Sequence, residues 1–329
     1  MKAIWYEQLG PARDVLQYGV LPSPTPQAGE VLVRLHASGI NPSDVKMRGG
    51  ARVGNASMPF PQIVPHSDGA GVIEAVGEGV NADRIGERVW VSNAQWQRAF
   101  GTAAEYITLP EGLTAPLPEG VSFEVGASLG IPAITACHSV FSHGSVQGLT
   151  VLISGGAGTV GYLAVQLARM AGAHVIATAG GEHGISHARD AGAHHALDYN
   201  DPELAQQILA ANGGRPVDRI VEVEFGSNVA TNAAVIKERG HIVTYGSAKA
   251  QQPELPFYPL MFKGITLEFV LVYLLTVEER QAQAALINHA LSSNLLRVPI
   301  HSSHPMADAA HAHEVVEAGR RGSVILNIE

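Results

Sequence analysis

Two patterns of apolar and polar positions divide the chain. Up to about residue 125 the apolar residues come in short alternating runs, and stretches 2–6, 30–37, 69–77, 87–91 and 105–109 each read as a strand. Glycine and proline punctuate these runs, most densely in the connection 21–26, so a barrel-like domain of short strands is expected. After Pro118 the period changes. Residues 122–141 are mostly helix formers, interrupted at Gly130, Ile131 and Pro132. Apolar runs at 150–153, 174–178, 195–198, 218–222, 241–245 and 266–272 then alternate with helical segments at 182–191, 202–211 and 228–237. This alternation predicts a doubly wound parallel sheet of order 3-2-1-4-5-6. Helices at 277–291 and 307–319 and a strand at 323–328 complete the chain. The expected fold is α/β, with a Rossmann domain over 126–275 and a mostly β domain built from 1–125 and 276–329.

The first strand of the parallel set runs into a glycine turn, Ser154-Gly155-Gly156-Ala157-Gly158-Thr159-Val160-Gly161, and then into an amphipathic helix ending near Gly172. Strand, glycine turn and helix are the context in which such a motif binds a dinucleotide. Gly155 permits a sharp turn, Gly158 a close approach of a pyrophosphate, and Gly161 close packing of helix on strand. Amides at the helix N-terminus then face the anion. The spacing is G-x-x-G-x-x-G rather than G-x-G-x-x-G, so a tight turn without a ligand stays open on the motif alone.

Composition narrows the function. Lys and Arg number 21 against 30 Asp and Glu, a formal charge of −9, which disfavours nucleic acid and anionic membrane surfaces as partners. The one cysteine, Cys137, forms no internal disulfide and cannot build a thiolate zinc site. The first residues lack the apolar core of a signal peptide, and the apolar stretch 265–275 contains Glu268 and is too short to span a bilayer. A cytoplasmic location is expected.

The order of the motifs resembles the medium-chain dehydrogenase/reductase superfamily, and within it the zinc-free quinone oxidoreductases of the zeta-crystallin type. The resemblance covers essentially the whole chain. It rests on the opening MKAIWYEQLG, on residues 38–44 and 65–73, on 101–106 and 130–136, on the glycine turn, on 245–247 and on 322–326. It implies a GroES-like catalytic domain beside the Rossmann domain. It also implies a homodimer joined through the last parallel strand, an apolar edge that is hazardous if left open. Zinc-dependent relatives carry a ligand cysteine where this chain has Ser38 and Gly39, and Gly-His-Glu where it has His66, Ser67 and Asp68. Asp44 and Asp68 lie within reach of His66 in sequence, yet a third nitrogen or sulfur ligand is missing, so no metal is expected. His66 is expected to line the substrate cleft or to satisfy a loop carbonyl.

The second strand ends without the acid that accepts from a ribose 2′-hydroxyl, which favours NADPH over NADH. The cofactor is expected on Gly155, Gly158, Thr159, Val160, Gly161, Gly180, His183 and His187. Tyr199 matches a tyrosine that the family uses near the 2′-phosphate, and Gly246 and Ser247 should border the nicotinamide through backbone groups. Relatives often offer a lysine after that strand, this chain does not, and Glu182 stands nearby. A surface location of the histidines on a solvated helix remains the alternative. With no metal, positioning and a few donors must serve the reaction. The resemblance points to Asn41, with a plain turn-forming role as its alternative, and to Lys46, which stands where several relatives carry a tyrosine and could instead point to solvent; with Thr135 these are the expected catalytic groups. Trp96, Phe257 and Tyr258, with His66, are candidate pocket walls.

Two further patterns are read as decoys. Gly126-Ala127-Ser128-Leu129-Gly130 matches the G-x-S-x-G elbow of hydrolases, but a loop rather than a buried strand precedes it. His301, His304, His311 and His313 suggest metal capture, but His311 and His313 cannot share one helix face, and a solvated surface is expected. The leading reading is an NADPH-dependent reductase of small quinones or α,β-unsaturated carbonyls. A zinc-dependent alcohol dehydrogenase and a cofactor-binding structural or RNA-binding protein are the alternatives.

Overall fold

The computed structural model of the protein describes residues 1–51 and 57–328. These fall into two units, Met1–Ile131 with Leu275–Glu329, and Pro132–Leu274. The first unit opens with strand β1 (Lys2–Trp5), a short helix α1 (Ala12–Val15) and β2 (Gln17–Val20), which pairs with β1. The long strand β3 (Glu30–Ile40) follows, then α2 (Pro42–Arg48), β4 (Asp68–Val76), β5 (Arg88–Val91), β6 (Tyr106–Pro110) and β7 (Thr114–Pro116). Alternation along β3 holds through Ala37, with Val31, Val33, Leu35 and Ala37 buried, so one face enters a core, and the strand's last residues are buried on both faces.

Residues 122–141 form two helices, α3 (Phe123–Gly126) and α4 (Gly130–Phe141). The expected interruption at Gly130, Ile131 and Pro132 lies at its first residue, since the break falls just before Gly130. Pro132 stands in the first turn of α4, where its missing N–H is not needed. The carboxylate of Asp68 accepts from the Ile131 N–H at 2.9 and 3.0 Å and so caps the helix from β4. A side chain at position 130 would meet Asp68 Oδ1 at 2.1 Å, which explains the glycine there.

The second unit alternates β8 (Thr150–Ile153), α5 (Thr159–Met170), β9 (His174–Ala179), α6 (Gly181–Asp190), β10 (His195–Asp198), α7 (Leu204–Ala211), β11 (Val217–Glu222), α8 (Phe225–Val235) and β12 (Ile236–Thr244). It closes with α9 (Phe257–Phe262) and β13 (Thr266–Phe269). Among the described residues the six strands form a parallel sheet of order β10-β9-β8-β11-β12-β13, the expected 3-2-1-4-5-6. All four residues of β8 are buried, as a strand covered on both faces requires. Several boundaries differ from the pattern, two of them where the sheet is built. The helix expected over 228–237 stops at Val235, because Ile236 turns into the sheet opposite Val217 and is fully buried there. The strand expected over 266–272 ends at Phe269, and Val272–Leu274 is a single tight helical turn.

The chain then returns to the first unit with α10 (Val277–Ser292), β14 (Ile300–Pro305), α11 (Ala309–Glu317) and β15 (Ser323–Asn327). Among the described residues the larger sheet runs β14-β15-β3-β4-β5-β7, with β6 on β3. Its core joins Val31, Val33, Ile73, Val89 and Ile107 to Ala309, Ala312 and Val316 of α11. Strand β14, IHSSHP, has no apolar signal because it is an edge strand, paired on one side only, with β15. Among the described residues no helix is long and apolar enough to cross a membrane.

Candidate cofactor and substrate site

The glycine turn takes the form its residues require. Gly155 has φ +68°, a left-handed backbone open to glycine. The loop is tied to β9, since Gly156 N–H donates to Thr178 O at 2.8 Å and Gly155 N–H to Thr178 Oγ1 at 3.3 Å. A Cβ at Gly161 would lie 2.2 Å from Gly155 O, so α5 sits hard against the turn. Among the described residues the only neighbour of a Cβ at Gly158 would be Gly155 O at 3.3 Å, which leaves the approach open. Gly158 is the N-cap of α5 and, as a glycine, offers that helix no side-chain cap. A turn of this shape receives a phosphate group on the helix N-terminus.

At the end of β9, Gly180 and Gly181 lead into α6, whose first-turn acid is the exposed Glu182. The Tyr199 hydroxyl closes on Gly180, and a Cβ there would be 2.3 Å from it. His183 is exposed, whereas His187 stacks on the buried Tyr162 with ring centroids 4.5 Å apart. His187 is therefore a packed side chain and not a solvated one. Beyond β12, Ser247 Oγ accepts from Gly226 N–H at 2.9 Å and donates to Ala250 O at 2.5 Å, so only its backbone is open to a ligand. Two residues that sequence reasoning passed over join this region. Glu224 accepts from the N–H groups of Ala248 and Lys249 at 2.9 and 2.8 Å, and Lys249 Nζ lies 5.7 Å from the Tyr199 ring centre. No local signal marks either contact.

In the first unit a chain of buried polar groups runs from β4 to α11. Thr102 Oγ1 donates to Asp68 O at 2.6 Å, so it must accept from Ser38 Oγ, 2.8 Å away. Ser38 then accepts from His66 Nδ1 at 2.9 Å, which leaves His66 Nε2 bare to accept from His313 Nε2 at 2.8 Å. Both rings are fully buried. Burial pushes His66 down to about 3 and His313 well below its ordinary value, so both are neutral. Among the described residues His313 Nδ1 has no partner. Two expectations are corrected here. His66 neither lines a cleft nor meets a loop carbonyl, because both ring nitrogens bond to side chains. His313 is not on a solvated surface, although His311 is exposed. The signal was present, since Ala309, Ala312 and Val316 mark the buried stripe of α11 and His313 falls on it.

Asn41 is also buried and donates through Nδ2 to Asp68 Oδ2 at 2.8 Å, while its N–H donates to Asp44 Oδ2 at 2.7 Å. Burial raises Asp68 well above the usual carboxylate range, against the lowering effect of the Ile131 and Asn41 hydrogen bonds. Lys46 is exposed on α2, Trp96 is half-buried, and Thr135 is buried on α4. Phe257 and Tyr258 are exposed on α9, with rings 5.5 Å apart. Ser128 is buried and donates to Glu124 O at 2.9 Å, which is no nucleophile's position. The Cys137 thiol is buried and pushed up to about 12 by desolvation.

Two family models match the chain, an alcohol dehydrogenase GroES-like domain over residues 27–119 and a zinc-binding dehydrogenase over residues 159–288. A quinone oxidoreductase of Rattus norvegicus is 32% identical over 324 residues, covering 98% of this chain and 95% of its own. A solved mycobacterial quinone oxidoreductase is 31% identical, with a TM-score of 0.89 over 99% of each chain. A mycobacterial protein solved in complex with NADPH is 30% identical, with a TM-score of 0.86 over 99% of this chain and 100% of its own.

The second family model raises the question of zinc, and the donor set does not fit it. Ser38 offers a hydroxyl already bonded to His66 and Thr102. Both His66 nitrogens and the Asp68 carboxylate are engaged within the protein. Among the described residues no three His, Cys, Asp or Glu side chains are arranged to hold a metal ion.

Proposed function

The chain belongs to the quinone oxidoreductase family of the medium-chain dehydrogenases/reductases, and on that premise we propose that it reduces quinones and α,β-unsaturated carbonyls with NADPH, without a metal ion. The observation that carries the reading is the second unit's cofactor end. There an open glycine turn stands beside a β9 terminus with Gly180 and Tyr199 where an NAD-binding strand carries a carboxylate. Engagement of Ser38, His66 and Asp68 in internal hydrogen bonds supports the metal-free part.

Gly155, Gly158 and Gly161 would hold the pyrophosphate at the start of α5, with Thr159 and Val160 in its first turn. Gly180, His183, His187 and Tyr199 would surround the adenosine ribose, and the backbone of Gly246 and Ser247 would border the nicotinamide. When bound, NADPH supplies a hydride, which quinones and conjugated carbonyls accept without a Lewis acid because the resulting charge is delocalised. Asn41, oriented by Asp68, and the exposed ammonium of Lys46 are the donors for that charge. Thr135 is the partner proposed for the nicotinamide carboxamide. Trp96, Phe257 and Tyr258 are the proposed walls for a flat acceptor.

A panel of quinones, enones and simple alcohols, run with chelator and with added zinc, tests the reading. Reduction of quinones or enones that chelator leaves untouched is expected, with NADPH bound about tenfold or more tighter than NADH. Chelator-sensitive alcohol oxidation would overturn it, and inactivity on the whole panel with NADPH still bound would favour a binding role.

A homodimer through β13 is part of the same proposal. That strand ends its sheet, and Phe269 on it and Phe262 and Leu274 beside it are 72%, 77% and 68% exposed. An apolar open edge is a template for another strand, and a second copy of this chain supplies one. Light scattering should give the mass of two chains, and a monomer mass at micromolar concentration refutes it.

A further inference from the structure

A 2′-phosphate needs a cation, and the segment that follows β9 does not provide one. Gly180, Gly181 and Glu182 offer two glycines and an exposed carboxylate, and Arg189 lies in the last turn of α6, at its far end. Resting on the NADPH reading above, we propose that Lys249, from the loop after β12, is the residue that recognises the 2′-phosphate and sets the preference for NADPH.

Three observations place it there. Tyr199 stands where β9 meets α6, its hydroxyl against Gly180, and this is where the ribose 2′ position falls in such folds. The Lys249 ammonium lies 5.7 Å from the Tyr199 ring centre, and both side chains are exposed, Tyr199 by 44%. Phosphate oxygens between them would meet an ammonium and a phenolic donor together.

The third observation is that the root of this lysine is fixed. The Glu224 carboxylate accepts from three successive backbone N–H groups, those of Ala248, Lys249 and Ala250, at 2.9, 2.8 and 3.3 Å. Ser247 Oγ links Gly226 N–H to Ala250 O, which ties the loop again to the start of α8. A loop held at four points presents Lys249 without first having to be ordered, so less conformational entropy is lost on binding. Glu182 works against an incoming phosphate, and the Lys249 charge offsets it.

Isothermal titration of the full-length protein with 2′,5′-ADP, 5′-AMP, NADPH and NADH tests the proposal by binding alone. The first two ligands differ only by the 2′-phosphate. Wild type should prefer 2′,5′-ADP over 5′-AMP by about tenfold or more. Lys249→Met should remove most of that preference and leave 5′-AMP and NADH unchanged, and Lys249→Arg should keep it. The salt dependence of 2′,5′-ADP binding should also flatten in Lys249→Met. A wild-type protein without the preference would fail the NADPH reading and this proposal together. A preference that survives Lys249→Met in full overturns this proposal alone. So does equal weakening of all four ligands, which would mark a disturbed loop.

Discussion

The two units each carry a polar constellation that the sequence makes conspicuous, and they are built in opposite ways. In the second unit the glycine turn and the end of β9 leave space at Gly158 and an uncapped helix start, with Lys249 and Tyr199 exposed nearby. In the first unit Thr102, Ser38, His66 and His313 close on one another in the interior, with every donor in the chain engaged. Residue type does not separate the two, since histidines, hydroxyls and acids occur in both. What separates them is whether the protein itself engages the donors; in the first unit the polar atom left over is the acceptor His313 Nδ1, which has no partner among the described residues. A network whose donors are engaged joins elements together, and a ligand site keeps groups that only the ligand completes.

Substitutions can push each region toward the other's behaviour. The largest effect is expected from Gly158→Val, which fills the open approach with a branched side chain whose Cβ meets Gly155 O no closer than 3.3 Å. NADPH affinity should fall about a thousandfold in a fluorescence titration, with the unfolding midpoint unchanged. Normal binding by this variant would mean that the turn does not receive the phosphates.

His313→Leu should do the reverse. It strands His66 Nε2 as a bare buried acceptor, so stability should drop by about 2 kcal/mol in denaturant unfolding while NADPH affinity stays as it was. A loss of NADPH affinity equal to that of Gly158→Val would collapse the distinction between the regions.

The smallest effect is in the pH dependence of stability. His66 is neutral in the folded protein, at about 3, and ordinary near 6.5 once unfolded. Below 6.5 the unfolded chain therefore takes up protons that the folded one refuses, and stability falls as the pH falls. His66 contributes about 1 kcal/mol of that loss between pH 6.5 and about 5.5, and His313 acts in the same direction. Replacing both rings, as in His66→Gln with His313→Gln, should flatten the slope across this window. An unchanged slope would show that the pair does not titrate as buried neutral imidazoles.

Much of the fold was legible in the sequence because it rests on local periodicity. Apolar runs of four to seven residues alternating with helical segments determined a parallel sheet of order 3-2-1-4-5-6, and its six strands appear in the expected order. The glycine turn was equally legible, since the backbone freedom of Gly155 and the close contact of Gly161 depend on residues within one turn of chain. Element ends were less so. Ile236 leaves its helix for the sheet because burial opposite Val217 outweighs the helical composition around it.

Only the tertiary structure decided which polar side chains face one another. His66 meets His313 across 247 residues, and Asp68 caps a helix that begins 62 positions later, at Gly130. Lys249 reaches Tyr199 from a different strand connection, a proximity that no neighbouring residue in the chain marks. Periodicity reports which face of an element is buried. It carries no record of what waits on the other side, because that partner is set by how sheets and helices stack and not by the residues beside it in the chain.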